Sequence, residues 1–265
     1  KTDENGKPLS GAALQVIAAD ADGKETLVDS WITDGSVHQI YGKLIAGQTY
    51  ILREASAPKG YAKAADQQFT VGTGGKVQNI TMQDVATKVG IDKVDEDGKP
   101  LSGAVLQLLD AAGTEVEQWT TDGTTHRIDA VLTAGAEYTL HEVSAPDGYC
   151  VAADQKFTVN ADGSLTSVKL TDVSTKVQIS KTTITGDTEL EGAKLEVRDL
   201  SGNALDSWTS GKEAHMITAK LTAGQTYTLR EAASPDGYYK AKDITFTVNA
   251  DGTANEVALY NAKTR

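Results

Sequence analysis

Hydrophobic and polar residues alternate along most of the chain with a period of two, which is the pattern of half-buried β-strands. In one run Ala104, Leu106 and Leu108 point to the same side, and Phe157 and Val159 do so in a later run. Turn-forming sequences such as DEDG, TDG and NADG separate these runs. No segment has convincing helical periodicity. The sequence therefore predicts an all-β protein.

The pattern repeats three times, at intervals of roughly 90 residues, a length that suits whole small domains. An opening signature reads GKPLSGAALQV from Gly6, GKPLSGAVLQL from Gly98 and TELEGAKLEV from Thr188. The repeats predict three tandem antiparallel β-sandwiches of about seven strands each. Their predicted ranges are 1–86, with a truncated first strand, 87–175 and 176–265. Because no Pro- or Gly-rich spacer separates the repeats, we expect them to abut as a semi-rigid rod.

Each repeat places one lysine, one glutamate and one aspartate or asparagine on the side of a strand that should face the core. In repeat 2, for example, Lys93 shares its face with Val89 and Ile91. The residues concerned are Lys1, Glu54 and Asp84 in repeat 1, Lys93, Glu142 and Asp172 in repeat 2, and Lys181, Glu231 and Asn261 in repeat 3. Because isolated buried charges are very costly, we expect the three groups to meet within each repeat.

Two interpretations of this clustering remain open from parity alone. In the first, the groups are unreacted: they form a buried ion-pair network or lie at strand ends that reach solvent. In the second, the lysine amine reacts with the aspartate or asparagine side chain. Desolvation favours the neutral forms of amine and acid, and a neutral amine is a nucleophile. A protonated glutamate can polarise the carbonyl and shuttle protons, and contact within a core gives a very high effective molarity. The product would be an amide, with loss of water from Asp or ammonia from Asn.

The repeats resemble the CnaB-type family, named for the B repeats of a collagen-binding adhesin and also found in pilins of Gram-positive bacteria. The resemblance lies in the lysine strand followed by LSGA, in the block Tyr-x-Leu-x-Glu-x-x-Ala-Pro-x-Gly-Tyr, and in a last strand ending in Asp or Asn. It implies a prealbumin-like (transthyretin-like) sandwich with a self-formed isopeptide bond. The implied sets are Lys1–Asp84 assisted by Glu54, Lys93–Asp172 by Glu142, and Lys181–Asn261 by Glu231.

The charge, the apolar stretches and the cysteine count of the chain argue against several classes of function. The net charge of −12 argues against nucleic-acid binding, which needs clustered Lys and Arg. No stretch approaches the roughly 20 apolar residues of a membrane span, and no signal-peptide pattern opens the chain. The single cysteine, Cys150, excludes an internal disulfide, which indicates either a cytosolic protein or a secreted one with a different covalent staple.

Other recurrent residues favour structural roles. One histidine per repeat (His38, His126, His215), without neighbouring Cys or His, makes a poor metal site. The DEDG, DADG and NADG strings lack the bidentate Glu of a calcium loop. The tryptophans should pack at sandwich edges, and Cys150 has no counterpart in the other repeats for a shared role. We therefore predict no metal and no cofactor.

These features together predict the stalk of a cell-wall-attached adhesin or pilus-like protein on the surface of a Gram-positive bacterium. We expect a monomer that contacts neighbouring domains of the same protein, while any host ligand would bind a tip domain outside this sequence. The alternative is a binding module whose repeats contact a host protein or glycan directly. An enzyme is not expected, because the only reactive constellation would be consumed by one self-reaction.

Overall fold

The computed structural model describes residues 1–186 and 188–264, and these contain 22 strands and no helix. No helix in this part of the chain is therefore available to cross a membrane. The strands build three sandwiches in sequence, called here modules 1, 2 and 3, which confirms the predicted all-β tandem fold.

Modules 1 and 3 have seven strands each and module 2 has eight. Those of module 1 are β1 (Thr2–Asp3), β2 (Ser10–Ala19), β3 (Glu25–Asp34), β4 (Thr49–Ser56), β5 (Tyr61–Ala62), β6 (Gln67–Thr70) and β7 (Gln83–Ala86). Those of module 2 are β8 (Lys88–Asp95), β9 (Ser102–Leu109), β10 (Glu115–Asp122), β11 (His126–Asp129), β12 (Glu137–Ser144), β13 (Tyr149–Cys150), β14 (Gln155–Thr158) and β15 (Leu165–Ser174). Those of module 3 are β16 (Lys176–Thr183), β17 (Lys194–Arg198), β18 (Ala204–Thr209), β19 (His215–Thr218), β20 (Thr226–Ala233), β21 (Ile244–Thr247) and β22 (Asn255–Asn261).

Each module packs two sheets face to face. One, the hairpin sheet, is antiparallel, with strand orders β3-β2-β4-β6, β10-β9-β12-β14 and β18-β17-β20-β21. The other, the terminal-strand sheet, has orders β1-β7-β5, β11-β8-β15-β13 and β19-β16-β22. In it the first and last strands of the module are parallel neighbours. The first and last strands of each module therefore lie side by side in one sheet, with the start of the first and the end of the last at opposite ends of the module.

The core of each module lies between its two sheets. In module 2 the alternating residues Leu106, Leu108 and Leu140 of the hairpin sheet meet Ile91 and Leu170 of the terminal-strand sheet, and all five are buried. A buried side chain of this size stabilises the fold by about 1.5–3 kcal/mol relative to full exposure. The sequence alternation is thus explained by packing across a two-sheet core.

Module 1 differs from the others because β1 has only two residues. An open groove of about 840 Å³ borders the core of module 1 and is lined among others by Trp31, Ile40 and Met82. The core of module 1 is correspondingly smaller.

Candidate functional site

The parallel pairing of first and last strands brings each lysine near its proposed partner. In module 2 Lys93 lies opposite Leu170, so that Asp172 is two residues further along the neighbouring strand. In module 3 Lys181 lies opposite Leu259, with Asn261 two residues further. Such diagonal positions are about 7–8 Å apart in the backbone, a gap that a long lysine side chain spans. The same offset in all three modules places the amine against the carboxyl or amide group.

The glutamate comes from the opposite sheet. Glu54, Glu142 and Glu231 lie on β4, β12 and β20 of the hairpin sheet and project across the core. One carboxylate oxygen of each accepts a hydrogen bond from a backbone N–H ten residues later, at Ala64 (2.7 Å), Ala152 (2.6 Å) and Ala241 (2.5 Å). This bond fixes the carboxyl group so that its other oxygen faces the lysine.

The three groups are in contact in every module. The lysine Nζ atom is hydrogen-bonded to Oδ1 of Asp84, Asp172 and Asn261 in modules 1, 2 and 3, respectively. The same Nζ atom lies 3.0, 3.2 and 3.5 Å from Oε1 of the glutamate of its module. The structure therefore brings together all nine residues that the sequence pattern grouped.

The site is closed to solvent. The side chains of all three lysines and their partners are at most 1 % exposed, including Lys1 at the start of the first strand. In modules 1 and 2 the recurrent Pro-Leu-Ser-Gly segment folds back over the lysine, since Leu9 and Leu101 donate backbone hydrogen bonds to the carbonyl groups of Lys1 and Lys93. Water is thus excluded from the three groups of each site.

Burial shifts the acid–base balance towards neutral forms. Desolvation raises the pKa of Asp172 to about 7, an effect that Lys93 opposes and Glu142 reinforces. The pKa of Asp84 rises to about 6 for the same reason, with Lys1 opposing and Glu54 reinforcing. In module 3 desolvation lowers the pKa of Lys181, against the opposing effect of Glu231. Neutral carboxyl and amine groups are the forms that condense.

Some polar atoms of the site remain unpaired. Oδ2 of Asp84 and of Asp172 has no hydrogen-bond partner among the described residues, and Oε1 of Glu54 and of Glu142 is paired only through its ionic contact with the lysine. Each such buried acceptor costs about 1–3 kcal/mol of desolvation. Protons on two of these carboxyl groups, or loss of one Asp oxygen as water, would remove part of this cost.

The amide of module 3 replaces the carboxyl and uses the glutamate differently. Asn261 Nδ2 donates a hydrogen bond of 2.8 Å to Glu231 Oε1. The nitrogen that would leave as ammonia is therefore already in contact with the group that would protonate it. Asparagine fits the same position because its carbonyl oxygen makes the same contact with Lys181 as the aspartates make in the other modules.

The other recurrent residues form a separate, structural cluster. His38 stacks on Trp31 with ring centroids 4.0 Å apart, and the pairs Trp119–His126 and Trp208–His215 do the same at 4.2 and 4.1 Å. Each of these histidines also bonds an acidic side chain nine residues earlier. Among the described residues no group of three His, Cys, Asp or Glu side chains is arranged to hold a metal ion. Cys150 is a buried free thiol.

Sequence reasoning missed the groups that hold the glutamates. The donors at Ala64, Ala152 and Ala241 are backbone N–H groups, which leave no side-chain signature. The only available signal is their constant spacing of ten residues from each glutamate.

Comparison with known proteins gives one family and several distant structures. The family model described as SpaA, prealbumin-like fold domain, matches three times, at residues 1–86, 87–174 and 175–263. None of the curated proteins matches the sequence.

Three solved structures illustrate the distant similarity. The TIE protein of Bacillus anthracis is 21% identical over 99% of this chain and 50% of its own, with a TM-score of 0.46. A streptococcal ancillary pilin is 20% identical over 96% and 93%, with a TM-score of 0.36. A mutant of the shaft pilin SpaA from Lactobacillus rhamnosus GG is 18% identical over 68% and 98%, with a TM-score of 0.31. This chain spans half the length of the Bacillus anthracis protein.

Proposed function

Because the chain belongs to the family of SpaA prealbumin-like fold domains, we propose that it is a structural stalk segment on the surface of a Gram-positive bacterium, locked by one self-formed isopeptide bond in each module. The observation that carries the proposal is the buried set of lysine, glutamate and aspartate or asparagine, which recurs three times with one geometry. A plain ion-pair network explains the contacts in modules 1 and 2. In module 3 such a network would be limited to Lys181 and Glu231, because Asn261 carries no charge, yet Asn261 Oδ1 makes the same contact with Lys181 as the aspartates make in the other modules.

The proposed reaction proceeds by direct attack of the amine. Neutral Nζ of Lys93 adds to the carboxyl carbon of Asp172, while Glu142 accepts a proton from the amine and returns it to the departing hydroxyl. One C–N bond forms, one C–O bond breaks and water leaves. In module 3 the C–N bond of the Asn261 amide breaks instead and ammonia leaves. Each module reacts once, so the chain turns over no external substrate.

The bonds suit a load-bearing role. Lysine lies near the start of each module and its partner near the end, so that the covalent link spans the parallel first and last strands. Tension that enters one end of a module would leave at the other without unzipping the strands between them. We place the protein outside the cell, attached to the wall as a monomer whose partners are neighbouring domains of the same surface protein.

Intact-mass spectrometry of the purified chain tests this proposal directly. We expect losses of about 18 Da for each aspartate module and about 17 Da for the asparagine module, together about 53 Da, because water or ammonia leaves in each condensation. A chain with the full mass of its unmodified residues would leave only a string of ion-paired β-modules.

The Asn261→Asp variant gives a second, internally controlled prediction. The cross-linked wild type and the cross-linked variant should have identical masses, because the condensation removes the very group that distinguishes amide from acid. Without a bond in module 3 the two masses should differ by about 1 Da. High-resolution intact-mass measurement distinguishes these outcomes, and a difference between the folded proteins would refute cross-linking at Lys181.

A further inference from the structure

Both junctions between modules are built around one threonine. Thr87 lies between β7 and β8, and Thr175 lies between β15 and β16. Linker residues usually face solvent, yet these side chains belong to residues that are only 1 % and 2 % exposed. Their position recurs in sequence as the threonine of ATKV and STKV. The burial shows that each junction is a packed contact.

The threonine joins a loop of the module before it to a loop of the module after it. Thr87 N–H donates to the carbonyl of Gly60 in module 1 at 2.9 Å. Its hydroxyl lies 3.1 Å from the same carbonyl and 2.8 Å from that of Leu132 in module 2, the closer acceptor. The carbonyl of Thr87 accepts a hydrogen bond from Ala130 N–H of module 2 at 2.8 Å. One residue thereby satisfies its polar groups in both modules.

The second junction repeats these contacts. Thr175 N–H donates to Gly148 at 2.9 Å, its hydroxyl lies 2.7 Å from the carbonyl of Leu221, and its carbonyl accepts from Ala219 N–H at 3.0 Å. The same contacts recur at both junctions, which indicates a specific interface.

Glycine is required where the two loops touch. Gly60 and Gly148 have φ values of +88° and +87°, which L-residues rarely adopt. A methyl group on either would also overlap the backbone carbonyl of Ala130 or Ala219 in the next module. The loops therefore approach as closely as their backbones allow.

Each half of the joint also occurs once with no other described module packed against it. On module 3 Thr264 N–H donates to the carbonyl of Gly237 at 2.8 Å, as at the internal junctions, although Gly237 is exposed. On module 1 Gly42 has φ +67° at the position where Ala130 and Ala219 have +58° and +54°. The face on module 3 thus keeps the hydrogen bond that its counterparts make at the internal junctions, and preformed surfaces lose little conformational entropy on docking.

Further contacts brace the same interface. Glu96 of module 2 accepts hydrogen bonds from the backbone N–H (2.8 Å) and hydroxyl (2.7 Å) of Ser174 and lies 3.2 Å from Nζ of Lys176 in module 3. The turn at Gly252 of module 3 packs against Val173, since a methyl group on that glycine would contact the valine side chain. The orientation of module 3 is therefore restrained at more than one point.

We propose that this joint is a docking surface carried by every module, whose partner is another module of the same kind, and that it holds successive modules in one fixed orientation. The exposed half formed by Gly237 and Thr264 fits the corresponding Ala-x-Leu loop of a further such module. The inference deepens the proposed stalk function and rests on it for its purpose. Its physical basis is independent of the isopeptide bonds.

Alanine substitutions at two equivalent glycines separate the effect of lost docking between modules from the effect of local backbone strain. Gly148→Ala and Gly237→Ala place a side chain at nearly the same positive φ, +87° and +82°, so that their local cost is alike. Of these two glycines, Gly148 faces another module, whereas no described atom lies within 4 Å of a methyl group on Gly237. We expect Gly148→Ala to release module 3 from module 2 and Gly237→Ala to leave their orientation unchanged.

Distance distributions between spin labels give the readout. Nitroxides are attached to cysteines replacing exposed Lys156 and Lys212 in the full chain, and Cys150 is kept because it is buried and its thiol lies 3.8 Å from the carbonyl of Asn249 in module 3. The parent and Gly237→Ala should give one narrow peak, and Gly148→Ala should lose it. A peak as narrow in Gly148→Ala as in Gly237→Ala would overturn the proposal.

Threonine variants test the hydroxyl itself. Thr175→Val removes the bond to Leu221 with little change of shape and should broaden the distribution, whereas Thr175→Ser keeps the hydroxyl and should not. Thr264→Val, at the exposed half, is the matched control. If Thr175→Val behaves like Thr264→Val, the hydroxyl does not hold the joint. Intact masses of all variants report the isopeptide bonds separately, so that failure of the joint and failure of the proposed stalk chemistry are distinguishable.

Discussion

Replacing Glu142 with alanine should leave module 2 without its covalent bond and lower its melting temperature by roughly 20–35 °C. The bond would close a loop between Lys93 and Asp172, which are 79 residues apart. Closing a loop of this length removes about 4–5 kcal/mol of entropy from the unfolded state. Without Glu142, no group accepts the proton that the attacking amine releases or returns it to the departing hydroxyl of Asp172. Intact mass should rise relative to the parent by about 18 Da, after correction for the substitution.

A matched control lies on the same strand. Glu137 is an exposed residue of β12 whose carboxylate pairs with Lys156 at the surface. Glu137→Ala should keep the mass deficit and change stability by no more than the about 0.2–1 kcal/mol that exposed ion pairs contribute. Asp172→Ala removes the acceptor and should match Glu142→Ala in both readouts. Calorimetry or module-resolved hydrogen exchange measures the transition. If Glu142→Ala kept the full mass deficit, the role given to this glutamate would be wrong.

The sequence was sufficient to predict the tandem sandwich fold because its main signals are local. Alternation along Ala104, Leu106 and Leu108 identifies a strand with one buried face, and the threefold repetition identifies the domains. Strand pairing is a non-local property, however. That β8 lies parallel to β15, in the sheet opposite β12, depends on contacts between residues far apart in the chain, which alternation does not encode.

The chemistry of the candidate site could be predicted because charged residues in core positions are costly and therefore conspicuous. Lys93, Glu142 and Asp172 were identified by parity alone. The backbone donor at Ala152 that orients Glu142 was not, because an N–H group is common to nearly all residues. Thr175 was missed for a different reason: a threonine between strands reads as an ordinary linker until its burial against the next module is known.

Pulling the chain from its two ends should show a large difference in extension between cross-linked modules and a module without its bond. In each module the load enters at the beginning of the first strand and leaves at the end of the last, which are parallel neighbours. Only a few residues lie outside the loop closed by the isopeptide bond. We therefore expect single-molecule force spectroscopy of the parent to show no extension of module length. Glu142→Ala should add one event of about 26 nm, because the 79 residues between Lys93 and Asp172 become free to extend at about 3.3 Å each.

The pattern of extensions tests the load path separately from the chemistry. Glu137→Ala should pull like the parent, and combining Glu142→Ala with Glu231→Ala should give two events, since the loops of modules 2 and 3 are closed by different bonds. Parallel end strands pulled in opposite directions load their hydrogen bonds together, so that even the unlocked module should resist by shear before it extends. Module-length extensions in a parent whose mass deficit is complete would mean that tension bypasses the cross-links, and the stalk would then need another source of strength.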